Sequence, residues 1–352
     1  MDNENNAEYS KEHVNDLIKK VCSRASETFL SRYTVPLIEQ KLKKYIIGQD
    51  DLVRHTAVFL YYHALRQMYP NLKVRPLLIA GPSGSGKTEI WRVANKLFEE
   101  YFDIQVVDGA GITQDGWTGQ RKLINIIGDL HTSCILVLDE FDKLTLPSYS
   151  SRGENVSTRI QAEFLKIMEG ELNNIGLKSE DFDYDVGSLG LVFVGAFEDI
   201  RNKKRNKKNI GFVSKYESDK PLPDNEPFTI TDEDLVEHGI MPELVGRIGD
   251  KCTTNVLSAE QYLEIIRNSN SKISMLLDVI NGLGIETQSL LSDEKILELA
   301  RESQSNLLGV RWVISRVESI LLDAISSSDL RNVFIEKKKK RMSDDTKEDS
   351  FF

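Results

Sequence analysis

Cysteine is scarce in this chain of 352 residues: Cys22, Cys134 and Cys252 are an odd number, widely scattered, with no Cys-x-x-Cys pair. That argues against a disulfide framework and a cysteine zinc site. Long apolar runs are also missing. A run such as Cys134–Leu138 is far short of the ~20 residues needed to cross a bilayer. The opening Met-Asp-Asn-Glu-Asn-Asn is acidic and polar, with no apolar stretch behind it, so no signal peptide is expected. Nor is there a positive excess. Lys plus Arg total 45 against 55 Asp plus Glu, a net charge of −10, which argues against a general affinity for nucleic acid or an anionic membrane. No internal repeat is visible. What remains is an ordinary soluble composition, 40% hydrophobic and 28% charged, in a chain long enough for about two domains and expected in the cytoplasm.

Residues 1–44 are charged, with Val14, Leu17, Ile18 and Val21 at helical spacing, and predict a helical N-terminal extension. From Tyr45 the pattern changes. Val74–Ala80, Ile104–Val107, Cys134–Leu138 and Gly190–Val194 are apolar strand-like runs, separated by helix-like stretches such as Ile90–Phe98 and Lys122–Leu130. Continuous apolar strands alternating with helices predict a parallel α/β sheet covered on both faces, spanning residues 45–252. Residues 199–231 interrupt it as a polar insertion loop with the basic run Arg201–Lys208, which has no interleaved aromatics and so carries little nucleic-acid signal. Residues 253–330 are nearly all helical in pattern and predict a second, smaller domain. The tail 331–352 opens on the basic run Lys337–Arg341 and has the composition of a disordered segment.

Two motifs carry chemistry. Gly81, Pro82, Ser83, Gly84, Ser85, Gly86, Lys87 and Thr88 fit G-x-x-x-x-G-K-[ST] between a strand and a helix, the context a phosphate-binding loop needs. Its glycines let backbone N–H groups close around phosphate oxygens, and the helix opening at Glu89 adds its dipole. Lys87 can reach the β- and γ-phosphates of ATP, and Thr88 can ligate Mg²⁺. The second motif is Ile135–Glu140, four apolar residues ending in two carboxylates. A buried strand would deliver Asp139 to the Mg²⁺ water shell, with Glu140 as the general base on the attacking water. Together the motifs predict ATP hydrolysis.

Tyr45-Ile-Ile-Gly-Gln49, the phosphate loop, Leu138-Asp-Glu-Phe-Asp-Lys143 and Gly239-Ile-Met-Pro-Glu-Leu-Val-Gly-Arg247 occur in this order. With Leu165–Gly170, Val194–Phe197 and Gly309–Arg311, they resemble the ClpX/HslU-type AAA+ protein unfoldases over about residues 45–325. The resemblance implies an AAA+ P-loop large domain followed by a small helical one. It implies that Ile46 and Ile47 pack on adenine, that Arg247 is an arginine finger reaching a neighbouring subunit's γ-phosphate, and that Arg311 is a second sensor. It therefore implies a homohexameric ring. Gly116-Trp-Thr-Gly119 falls where the family has its first pore loop, so Trp117 and Thr118 would grip polypeptide substrate. Ile210, Gly211 and Phe212 match the tripeptide with which such unfoldases dock a ClpP-like peptidase.

The sequence also departs from the family. Residues 1–44 hold only Cys22 where the family carries a four-cysteine zinc domain. The family's second pore loop has Gly-Glu-Gly where this chain has Val156–Arg159, and the first-sensor position near Gly195-Ala196 has no Asn or Thr. The alternative to an unfoldase is an AAA+ remodeller or loader of nucleic acid or protein complexes using the same engine.

Overall fold

The computed structural model describes residues 11–112 except 74, 123–128, 134–169 except 150–152 and 154, 188–209, 229–305 except 286, 288 and 289, 309–328, and residues 331, 334 and 335. The chain divides into two compact units, residues 1–255 and 256–352.

In the first unit, α1 (Lys11–Arg32), α2 (Val35–Lys43) and α3 (Asp50–Met68) lead into β1 (Leu77–Ala80) and α4 (Glu89–Phe98). Then come β2 (Ile104–Asp108), α5 (Leu123–Gly128), β3 (Ile135–Asp139), α6 (Phe141–Thr145), α7 (Val156–Glu169), β4 (Gly190–Gly195) and α8 (Glu198–Asn209). The unit ends with α9 (Asp232–His238), α10 (Pro242–Val245) and β5 (Asp250–Thr253). The strands form one parallel sheet in the order β2-β3-β4-β1-β5. The residues of β1, β4 and the first four of β3 are all buried, because helices cover both faces. Alternate residues point to opposite sides. Leu136, Leu138, Leu191 and Phe193 pack on one face with Phe141 and Phe164, while Leu77, Ile79, Val137 and Val192 pack on the other with Trp91 and Phe98.

One sequence expectation needs correction here, and two features go beyond the sequence reading. The helices before Tyr45 pack into the first unit. Phe29, Ile38 and Leu42 are fully buried, and the Phe29 ring lies 5.5 Å from Phe98, 5.4 Å from Tyr101 and 4.8 Å from Phe102. The polar insertion expected from residue 199 begins as α8, which runs through the basic stretch to Asn209. There Arg201 is buried, and Lys203 and Lys204 form ion pairs with Glu237 and Asp234 of α9. Burial opposes the Asp234 charge, but hydrogen bonds from Lys204 and Thr231 outweigh it and hold its carboxyl below the ordinary value. The strand β5 was not anticipated: Asp-Lys-Cys-Thr buries only Cys252, as an edge strand can.

The second unit is helical: α11 (Ala259–Arg267), α12 (Lys272–Gly282), α13 (Asp293–Ser305) and α14 (Gly309–Ser327). Ser258 and Gln261 close a capping box at the start of α11. Tyr262, Ile266, Ile273, Ile280, Ile296, Val313 and Val317 recur at helical spacing and form its core.

Candidate functional site

Parallel register brings the ends of the five described strands to one edge. Ala80 aligns with Gly195 and with Thr253, Leu138 with Phe193, and Asp108 with Asp139. The loops that follow β1, β3, β4 and β5 are therefore neighbours at the carboxyl edge, where open α/β sheets place their ligand sites.

The loop after β1 turns on glycines with positive φ: Gly81 at 152°, Gly84 at 74° and Gly86 at 91°. At Gly81 the requirement is also steric. A Cβ there would lie 2.1 Å from the Thr254 hydroxyl and 2.7 Å from its carbonyl. At Gly86 a Cβ would meet nothing within 4 Å, so there the requirement is the backbone angle alone. Lys87 is buried, and its ammonium donates to the carbonyls of Gly81 at 2.7 Å and Pro82 at 2.6 Å. Ser85 donates to the Pro82 carbonyl at 2.8 Å and shares a 2.6 Å hydrogen bond with the Thr254 hydroxyl. Glu89 opens α4 and pairs outward with Arg92 at 3.1 Å, so its side chain is turned to the surface.

The Thr88 hydroxyl donates to the Asp139 carboxylate at 2.8 Å, linking the loop to the end of β3. The other Asp139 oxygen accepts the Glu140 N–H at 3.0 Å. Glu140 has left-handed backbone, φ 56° and ψ 30°, as the residue before α6. Its carboxylate pairs with Lys143 at 2.9 Å, and that bond holds the Lys143 ammonium above its ordinary pKa. Phe197, just past β4, is the other non-glycine residue with positive φ, at 49°, among the described residues. Its N–H donates to the Asp142 carboxylate at 3.2 Å. Non-glycine residues in this region are strained, and such strain gathers at functional sites. A glycine-bent loop with an ammonium, and a hydroxyl and a carboxylate beside it, fits a nucleoside triphosphate and a divalent cation in its donor chemistry.

Ile46 is buried and Ile47 half-buried ahead of α3. Gln49 fixes that segment to the end of β5, donating to the Asn255 carbonyl at 2.8 Å and accepting its N–H at 3.3 Å. Arg247 follows α10, is exposed, and forms an ion pair with Glu169 at the end of α7. Arg311 is exposed in the first turn of α14, in the second unit. Val156–Arg159 form the first turn of α7. Trp117, Thr118, Ile210, Gly211 and Phe212 lie outside the described residues. Sequence reasoning gave Gln49 no role of its own within the Tyr45–Gln49 motif, and it missed Thr254. Thr254 sits in no motif, and only the register of β5 against β1 brings it to the loop.

Residues 77–203, from β1 into α8, match the model of the ATPase family associated with various cellular activities (AAA). The "ATP-dependent Clp protease ATP-binding subunit ClpX" of Borrelia duttonii is 28% identical over 339 residues, covering 85% of this chain and 76% of the relative. The protein of the same name from Treponema denticola is 29% identical over 322 residues, covering 82% and 75%. "ATP-dependent Clp protease ATP-binding subunit ClpX 2" of Wolinella succinogenes is 26% identical over 314 residues, covering 81% and 75%. The chain carries an AAA domain and is ClpX-like. It is an ATPase with an AAA domain, built on an α/β sheet with a helical second part, and it is similar to these ClpX proteins. Among the described residues no helix is long and apolar enough to cross a membrane.

Proposed function

We propose that this chain hydrolyses ATP to thread polypeptides through the pore of a homohexameric ring, and that it delivers them to a ClpP-like peptidase. The observation that carries the reading is the Thr88–Asp139 hydrogen bond, which joins the phosphate loop to the carboxylate strand in one site. In this reading the loop from Gly81 to Thr88 binds the phosphates through its backbone N–H groups, and Lys87 exchanges its carbonyl acceptors for β- and γ-phosphate oxygens. Ile46 and Ile47 pack on the adenine. Thr88 and Asp139, the latter through water, would hold Mg²⁺, which would supply positive charge beside the phosphates. Glu140 takes the proton of the attacking water.

Arg247 acts on the nucleotide of the adjacent subunit. A guanidinium suits that role because it keeps its charge and offers a fork of donors to phosphate oxygens. Arg311 senses the nucleotide of its own chain. Trp117 and Thr118 grip the substrate by apolar contact. ClpX is named an ATP-binding subunit of a Clp protease in the relatives, which supports the peptidase partner, as does the Ile210-Gly211-Phe212 tripeptide.

The test is Glu140→Gln. The variant is expected to bind ATP normally and to hydrolyse it at least ~10²-fold more slowly, the scale for loss of a positioned base. Near-normal turnover in a steady-state assay would remove Glu140 from the chemistry. Stimulation of the wild-type ATPase by unfolded protein and not by DNA separates an unfoldase from a nucleic-acid remodeller.

A further inference from the structure

Between α9 and α10 the chain passes through Gly239, Ile240 and Met241 before reaching Arg247. Among the described residues this short connection has no strand partner, yet Ile240 is buried and its neighbours' polar backbone must be satisfied. One side chain does so. Gln161 of α7, buried to 1% exposure, donates its amide N–H to the Gly239 carbonyl at 3.0 Å and accepts the Met241 N–H at 2.7 Å. The amide thus imitates a strand edge, taking the carbonyl of one residue and the N–H of the second residue on. Its orientation is set by a third bond, from Nε2 to the Ser157 hydroxyl at 3.1 Å, one helical turn back. Gly239, with φ at 122°, gives the connection its bend, and a Cβ there would lie 3.0 Å from the Thr145 carbonyl.

The same helix holds the far end of the segment. Glu169, eight residues after Gln161 and so about two turns along α7, forms the ion pair with Arg247. An exposed ion pair holds a long side chain weakly. A buried amide clamp holds backbone, and so fixes where α10, and Arg247 after it, leave the domain.

We propose that Gln161 is a positioning residue for Arg247, setting the reach of that guanidinium toward the nucleotide of the adjacent subunit. The proposal rests on the reading of Arg247 as an arginine acting across subunits. Gln161 belongs to neither the phosphate loop nor the Asp139-Glu140 pair, so its loss should leave nucleotide affinity unchanged and slow turnover.

The test is a double-mutant cycle on the full chain, reading kcat for ATP and Kd for ADP. Gln161→Met keeps the volume and removes all three hydrogen bonds. It is expected to lower kcat by about 10–10²-fold, the range for a misplaced reacting group, with Kd for ADP within about twofold. On an Arg247→Ala background the same change should cost nothing further, because residues acting through one group are not additive. Gln161→Ala should behave alike. Equal losses from Gln161→Met on both backgrounds, or an unchanged kcat, would overturn the assignment while leaving Arg247 in place. Full kcat in Arg247→Ala alone would instead remove the cross-subunit arginine, and the proposal with it. Loss of ADP binding by both Gln161 variants would reduce the residue to a support of the fold and overturn its positioning role.

Discussion

At position 81 one missing methyl group decides whether the phosphate loop closes. Gly81 combines a φ of 152° with a Cβ direction blocked by the Thr254 hydroxyl at 2.1 Å and its carbonyl at 2.7 Å. Gly81→Ala must therefore push the loop away from β5, and with it the N–H groups that face a phosphate. Nucleotide affinity is expected to fall about tenfold or more, one tenfold step being ~1.4 kcal/mol. Adding Thr254→Ala should not restore it, since the backbone carbonyl remains. Titration with a fluorescent ATP analogue checks this, and unchanged affinity in Gly81→Ala would contradict the steric argument. Burial explains a quieter result at the same scale. It pushes the Cys252 thiol up to about 12 and raises that of Cys134 as well, so both stay protonated and inert at neutral pH.

At the scale of elements, legibility followed hydrophobic pattern. The strands at Leu77–Ala80, Ile135–Asp139 and Gly190–Gly195 stood out because each buries most of its residues on both faces, and Ile104–Asp108 because Ile104, Val106 and Val107 fall close together, although only Ile104 of them is buried. The phosphate loop and the Asp139-Glu140 pair stood out because their chemistry needs fixed residue types at fixed spacing. Asp250–Thr253 did not, since an edge strand burying one residue in four leaves no apolar run. The basic stretch after Ile200 was also misread. Its lysines are satisfied by Asp234 and Glu237 of α9, partners about 30 residues away that no local pattern reveals. The same limit hid the role of α1, whose buried face meets rings from α4 and just beyond it. Phe29→Ala removes a fully buried ring with Tyr33, Phe98, Tyr101 and Phe102 around it. It is expected to destabilise the first unit by ~3–5 kcal/mol, the usual range for this truncation, seen as a lower urea midpoint. A midpoint unchanged from wild type would show that this packing adds nothing to the stability of the first unit.

At the scale of the whole molecule, the proposed machine has an engine and two surfaces that need no part in hydrolysis. The engine is the site at the carboxyl edge of the sheet, where Lys87, Thr88, Asp139 and Glu140 converge. The two surfaces are assigned from sequence alone, at Trp117 and at Ile210-Gly211-Phe212, and they predict separable failures. Trp117→Ala should retain ATPase activity but lose unfolding of a tagged, stable substrate, because in the proposed reading this aromatic is the apolar grip on the moving chain. Phe212→Ala should retain both ATPase activity and unfolding while losing co-purification with a ClpP-type peptidase. One Phe in an apolar cleft is worth only ~1.5–3 kcal/mol of burial. A ring that docks through several such loops gains its affinity from their high effective concentration, so removing the ring from every loop at once should abolish binding rather than weaken it. ATPase rate, unfolding of the tagged substrate and peptidase pull-down, measured on both variants, check the separation. Unfolding intact in Trp117→Ala would take that residue out of the pore, and degradation intact in Phe212→Ala would leave a chaperone that works without a peptidase docked at this tripeptide.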